Sequence, residues 1–156
     1  MHKFMEYLFE AERKTRAIDH MLYVTFPLIK DRRLLLKILS ESKIVIANCI
    51  NSILQYEYLS KRIELTKDPK TNFKLFKEKC SMRYNITEQE IKLILDLFEI
   101  IELYKKSSFD FPRGDKIIIL SENMQYKDLS IEKIKEFLLL TKDILKKTKN
   151  TILRKI

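Results

Sequence analysis

The stretch Ile44-Val-Ile-Ala-Asn-Cys-Ile-Asn-Ser-Ile-Leu-Gln-Tyr56 decides the fold, because it carries no charge in a chain that is 34% charged. It contains no Gly or Pro, and helix-compatible residues continue it at both ends, which favours an α-helix over a buried strand. A helix that is uncharged around its whole circumference is usually covered on all sides. Charges at Lys43 and Glu57 leave the run too short to span a bilayer. We therefore predict a long central helix at about residues 34–63, inside a helical bundle.

The composition predicts one all-α domain over residues 1–156. The chain is 46% hydrophobic but has one glycine and three prolines. Sheet-rich folds need glycine at their turns, so this shortage favours about five long helices with few connections. Neither a signal peptide nor a membrane span is recognisable, so we expect a cytoplasmic protein without a membrane partner. We expect Cys49 to be a buried thiol, with a disulfide as the alternative.

Capping and periodicity place the first three helices. An apolar stripe from Phe4 to Phe26 predicts a first helix that ends or kinks before Pro27. Asp31 is a candidate N-cap of the central helix, and Asn72 of a third helix, residues 73–84.

Capping also places the last two helices and the region between them. Thr87 with Glu90 predicts a capping box that opens a fourth helix, and Ser130 is the candidate cap of the last one. Residues 107–130 differ: 109–115 resembles a turn, and the β-branched run 116–121 is a strand candidate. We predict a short β-hairpin or an irregular loop at about 107–130.

The positive charge is concentrated in two segments. The net charge is +9, and residues 61–84 hold eight basic and three acidic side chains, while residues 133–156 hold eight and two. Two basic segments on a nearly neutral body predict a face for RNA or another polyanion. A lysine-rich composition without function is the alternative. The residues predicted to contact phosphate are Lys74, Lys77, Arg113, Lys116, Lys142, Lys146 and Lys149.

The loop that contains Arg113 and Lys116 is a separate candidate contact. Its aromatic residues Phe109 and Phe111 suggest stacking on bases beside phosphate contacts. The alternative is a connector whose aromatic side chains close the end of the bundle.

Helix one carries a candidate catalytic group. Arg13, Arg16, His20 and Tyr23 lie at helical spacing on one face. A guanidinium can hold a phosphate while an imidazole transfers a proton at neutral pH. The alternative is an ordinary helix histidine that pairs with Asp19, Arg16 or a backbone group.

Arg13-Lys-Thr-Arg-Ala-Ile-Asp-His20 has the form Arg-x6-His. It is similar to the signature of HEPN-type helical-bundle proteins, which are often dimeric, metal-independent RNases. This resemblance implies Arg13 and His20 as an active pair. The stretch from Asp19 to Asp31 resembles uncharacterised small all-helical archaeal proteins, which implies a fold and no activity.

Three amides in the uncharged run form the last candidate site. Asn48, Asn51 and Gln55 share one helix face. Buried amides need hydrogen-bonding partners, so this face is predicted to set helix register or form an interface, with a ligand contact as the alternative.

The sequence predicts a small non-catalytic protein that binds nucleic acid, RNA before DNA. It has neither a zinc-ligand cluster nor a glycine-rich phosphate loop, so we expect no metal and no cofactor. One alternative is an adaptor or antitoxin-like partner that binds another protein or forms a homodimer. The other is a metal-independent endoribonuclease that uses Arg13 and His20.

Overall fold

The computed structural model describes residues 2–113, 116–121 and 126–154. In chain order its elements are α1 (Lys3–His20), a π-helical turn (Met21–Thr25), α2 (Phe26–Ile29), α3 (Arg32–Leu59), α4 (Pro69–Leu75), a second π-helical turn (Phe76–Cys80), a 3₁₀ turn (Ser81–Tyr84), α5 (Glu88–Lys105), β1 (Ser107–Arg113), β2 (Lys116–Ser121), β3 (Tyr126–Ser130) and α6 (Ile131–Arg154). Adjoining helical elements run on without a break, so the described residues form five helical stretches. The predicted all-α bundle with a small hairpin is confirmed.

Helix α3 is the centre of the bundle, as predicted. It packs against α1, α5 and α6, and Val45, Ile46 and Ile53 on it are fully buried. Asp31 caps it by accepting a 2.9 Å hydrogen bond from the amide of Arg33. The helix ends at Leu59, earlier than predicted, and the chain turns where Lys61 adopts a left-handed backbone with φ of 61°.

One side of α3 is open, which corrects the prediction that the uncharged run is covered all round. Five residues, which we call the open strip, are exposed or half-buried there: Ile44, Ala47, Asn48, Asn51 and Gln55. Three of the five are amides, which carry no charge but hydrogen-bond to water. Absence of charge therefore did not imply burial.

The first helix does not end at Phe26, because the chain stays helical through Pro27 to Ile29. A proline inside a helix lacks an N–H, and its ring clashes with the carbonyl four residues earlier. The wider π-helical turn at Met21–Thr25 contains Tyr23, four residues before Pro27, and gives that ring room. The helix then ends at Ile29, and its cap Lys30 has a left-handed backbone (φ 52°) and donates its N–H to the carbonyl of Phe26.

The third helical stretch begins at Pro69, not at Phe73 as predicted. Asp68 is the cap, since its carboxylate accepts from the amide of Lys70 at 3.3 Å, and Pro69 suits the first helical position. Asn72 bonds the preceding linker instead, accepting from the amide of Thr66 at 3.0 Å and donating to its carbonyl at 2.9 Å.

The other two predicted caps are confirmed. The amide of Glu90 donates to the Thr87 hydroxyl at 3.1 Å, and the Glu90 carboxylate accepts from the Thr87 amide at 3.0 Å. Ser130 accepts from the amide of Lys133 at 3.1 Å.

The small sheet is antiparallel, with strand order β1-β2-β3. The expected hairpin of β2 and β3 is present, and Ile117, Ile119 and Leu129 bury it against the helices. Residues 109–113, predicted as part of a turn, belong to the edge strand β1, where Pro112 removes no hydrogen bond from a central strand. The predicted turn at Gly114 and Asp115 lies outside the described residues.

Candidate nucleic-acid interface

Six lysines between residues 61 and 79 are exposed, and we call them the lysine surface: Lys61, Lys67, Lys70, Lys74, Lys77 and Lys79. None of them forms an ion pair with another residue in the described part of the chain. Lys70, Lys74 and Lys77 recur at helical spacing, which places them on one side of α4 and the turn that follows. Lys74 and Lys77, both predicted from sequence, therefore belong to a larger group of free cations.

The two arginines of this segment have a different role. Arg62 and Arg83 both pair with Glu57, whose side chain is 1% exposed. A buried carboxylate needs such partners, because its desolvation is costly. The single carboxylate offsets one of the two guanidinium charges, so most of the free positive charge of the segment comes from its lysines.

A cavity of about 730 Å³ lies at the start of the lysine surface. Its walls include Tyr58, Leu59, Lys61, Arg62 and Lys79, and Tyr58 is 48% exposed. An exposed aromatic ring with cations beside it can stack on a base while the cations hold the adjoining phosphates. The cavity volume falls within the usual range of small-molecule sites.

The lysines predicted on α6 are mostly neutralised. Lys149 pairs with Glu12 at 2.6 Å, and Lys142 pairs with Asp19. Lys146 is exposed and has no ion pair with the described residues. The two segments hold the same number of basic residues but differ in free charge, because Lys142 and Lys149 of α6 pair with carboxylates of α1.

The two cations predicted in the loop, Arg113 and Lys116, also differ in whether they form an ion pair. Lys116 pairs with Asp128 at 3.3 Å, whereas Arg113 is exposed at the end of β1. The side chains of Phe109 and Phe111 lie outside the described part of the structure, so the predicted stacking on them stays a prediction.

The four residues of the candidate catalytic face, Arg13, Arg16, His20 and Tyr23, are all exposed. Arg13 pairs with Glu10 at 2.5 Å and lies about two helical turns from His20. The ring of His20 lies 3.5 Å from the hydroxyl of Thr25, and the Tyr23 ring centroid lies 5.6 Å from Lys142 Nζ. Arg16 lines a groove between α1 and α6. Arg16 thus lies at a groove with residues of α6, whereas Arg13 forms an ion pair with Glu10.

The predicted interface amides all lie on the open strip. Asn51 also lines a groove of about 730 Å³, whose apolar wall includes Phe73 and Phe98. Lys43 lies at this groove, 5.6 Å from the Phe98 ring centroid. Partial burial, and then the nearby charge of Lys105, lower the pKa of Lys43.

Two findings bear on metals and membranes. Among residues 2–113, 116–121 and 126–154, no group of three or more His, Cys, Asp or Glu side chains could hold a metal ion. No helix in these ranges is both long enough and apolar enough to cross a membrane.

Sequence reasoning missed Tyr58 and four members of the lysine surface, Lys61, Lys67, Lys70 and Lys79. The spacing of Lys70, Lys74 and Lys77 is a signal that could have identified Lys70. No sequence signal separates a free lysine from a paired one, because partners such as Glu12 and Asp19 are more than a hundred residues away from theirs.

No protein-family model, curated protein or solved structure matches this chain.

Proposed function

We propose that this protein binds single-stranded nucleic acid, RNA before DNA, through the lysine surface and without catalysis. The observation that carries the proposal is that six exposed lysines between residues 61 and 79 have no ion pair within the described residues. Phosphate contacts by lysine release counterions from the strand, and this release supplies most of the affinity of sequence-independent binding.

The cavity beside Tyr58 supports a single strand over a duplex. A base can reach an aromatic ring only when it is unpaired, and such bases occur in RNA loops, bulges and ends. Lys61 and Lys79 line the same cavity as Tyr58, so a base at the ring would have cations near its phosphates. Stacking contributes about 1–3 kcal/mol per base.

The test compares two triple variants that remove the same charge. Lys74, Lys77 and Lys79 are changed to Gln in one, and Lys37, Lys106 and Lys135 in the other. The control lysines are also exposed and free of ion pairs with described residues, but lie at the end of the bundle next to the sheet. We expect the first variant to bind a labelled single-stranded RNA at least tenfold more weakly, and the control to bind nearly as the parent does.

Equal weakening in both variants would show that net charge acts without a defined surface. A Tyr58→Leu variant tests the stacking step separately, and should weaken binding to the single strand more than to a duplex. Intact strand after incubation without added metal is the expected result. Cleavage that is lost in His20→Ala would instead support the endoribonuclease.

A second candidate function, docking of a protein, is favoured by the open strip and the apolar groove beside it. An uncharged, partly apolar strip on a chain of net charge +9 is the kind of surface that protein interfaces use at their centre. A parent protein that binds neither strand at low salt would make this the leading function.

A further inference from the structure

Helices α1 and α6 run antiparallel and are joined by ion pairs at two levels. Lys149 pairs with Glu12 at 2.6 Å, and about two helical turns earlier on α6 Lys142 pairs with Asp19. As the residue numbers of the lysines rise along α6, those of their partners on α1 fall, so the two helices run in opposite directions. A cation of α6 therefore meets an anion of α1 at both levels.

The level between these two ion pairs is different, because both helices present a cation there. Arg16 lies between Glu12 and Asp19 on α1, and Lys146 lies between Lys142 and Lys149 on α6. Both are exposed, and neither forms an ion pair with any residue of the described ranges.

Arg16 and Lys146 line one groove of about 360 Å³. Leu145 and Thr15 contribute to its wall, and Asn150 adds an exposed amide. Glu12 is the one acidic side chain of the lining, and Lys149 neutralises it. Lys142 and Lys149, which form the flanking ion pairs, are the remaining lining residues, so the groove has a net positive charge.

We propose that this groove binds a phosphate monoester, held by Arg16 and Lys146. A monoester phosphate carries close to two negative charges at neutral pH, and two cations that have no carboxylate partner among the described residues match that charge. A guanidinium presents paired N–H donors to two phosphate oxygens, and an ammonium adds a mobile third donor. Helices α1 and α6 pack against each other and are joined by the flanking ion pairs, so the groove that Arg16 and Lys146 line is formed before the anion arrives.

The phosphate has two possible sources, a free phosphomonoester or the 5′ end of a nucleic-acid strand. Only the second source rests on the proposed function. The site is built on α1 and α6, whereas the lysine surface lies on residues 61–79, so separate variants can remove each one.

The first experiment titrates inorganic phosphate at constant ionic strength, and follows the backbone amide resonances of the residues that line the groove by heteronuclear NMR. We expect a saturable shift in the parent, and about tenfold weaker binding in Lys146→Gln, which loses one charge-assisted contact. Arg16→Lys should also bind more weakly, because it keeps the charge and loses the paired donors. Lys37→Gln, an exposed lysine outside both proposed sites, is the charge-matched control and should bind as the parent does. A shift that does not saturate, or equal weakening in Lys37→Gln and Lys146→Gln, would overturn the proposal.

The second experiment compares a 5′-phosphorylated RNA strand with the same strand ending in a 5′-hydroxyl. Tighter binding of the phosphorylated strand, with the preference lost in Lys146→Gln, identifies the strand end as the source. Equal binding of both strands, with inorganic phosphate still bound, identifies a free phosphomonoester. If neither strand binds but phosphate does, the proposed function fails and this site stands.

Discussion

Arg83 Nε lies 2.9 Å from the carboxylate of Glu57, at the position where the uncharged run of α3 stops. Glu57 is the only charged side chain that is fully buried among the described residues, and Arg62 pairs with its other oxygen. The two arginines come from the chain on either side of α4. This triad therefore ties the end of α3 to the 3₁₀ turn and fixes the segment that carries the lysine surface.

Removing one arginine should destabilise the fold. Arg83→Met leaves the buried carboxylate with a single partner, and we expect the free energy of unfolding to fall by about 2–3 kcal/mol in urea. Arg13→Met is the matched control, because Arg13 also pairs with one glutamate but at an exposed position, where ion pairs contribute little. Equal effects in the two variants would mean that burial of Glu57 does not matter.

Acid should weaken the contact between α5 and α6. Burial raises the pKa of Glu90, but the hydrogen bonds from Lys147 and from the Thr87 amide outweigh this and lower it below 4.5. A carboxyl with a lower pKa in the folded state stabilises the fold above its unfolded pKa, and this contribution is lost as pH falls through the folded value. Glu90→Gln should therefore be less stable than the parent at pH 7, with the difference shrinking towards pH 3. Thermal unfolding across that range measures it, and the exposed Glu99→Gln should show no such trend.

Both cysteines should be unreactive in the folded protein. Burial raises the pKa of Cys49 to about 12, and burial together with the charge of Glu57 raises the pKa of Cys80 to about 11. Only the thiolate reacts, so a disulfide reagent at pH 8 should label neither thiol until the protein is unfolded in guanidinium. Rapid labelling of two thiols in native buffer would contradict this arrangement.

Local chemistry in the sequence predicted helix ends well where a single cap decides them. Asp31, Thr87 and Ser130 all accept the expected hydrogen bonds, because a capping interaction involves residues within one turn of each other. The prediction of a cap at Asn72 was wrong, because Asp68 caps this helix and Pro69 occupies its first position.

The sequence could not predict which residues pair across long distances in the chain. The stripe predicted from Phe4 to Phe26 is buried as far as Leu22, and Phe26 is half-buried, since periodicity reports which face turns inward. It does not report which cations meet carboxylates, so Lys142 and Lys74 looked equivalent until the fold placed Asp19 beside one of them. The open strip was missed for a related reason, because periodicity cannot show whether the last side of a central helix has a neighbour.

The open strip should support self-association. Amides both donate and accept hydrogen bonds, so two copies of Asn48 and Asn51 can pair across a two-fold axis. The five residues of the strip carry no charge, and Lys43 and Lys70 lie at the groove beside it. Asn51→Asp has the same shape but places like charges together, and should shift sedimentation towards the monomer. Gln89→Glu, an exposed amide change on α5, is the control. A parent that sediments as a monomer at all concentrations would rule out this interface.

Salt dependence should separate the two basic segments. A strand that releases counterions at the lysine surface loses affinity with a log–log slope of about −0.7 per phosphate contacted. Reversing Lys74 and Lys77 to Glu should make this slope shallower by at least about 1.4, because both are free before the strand binds. Reversing Lys142 and Lys149 should change it less, since each already has a carboxylate partner and gives up an ion pair to meet a phosphate. Binding of labelled single-stranded RNA at four salt concentrations gives the slopes. A larger change from Lys142 and Lys149 than from Lys74 and Lys77 would place the interface between α1 and α6 instead.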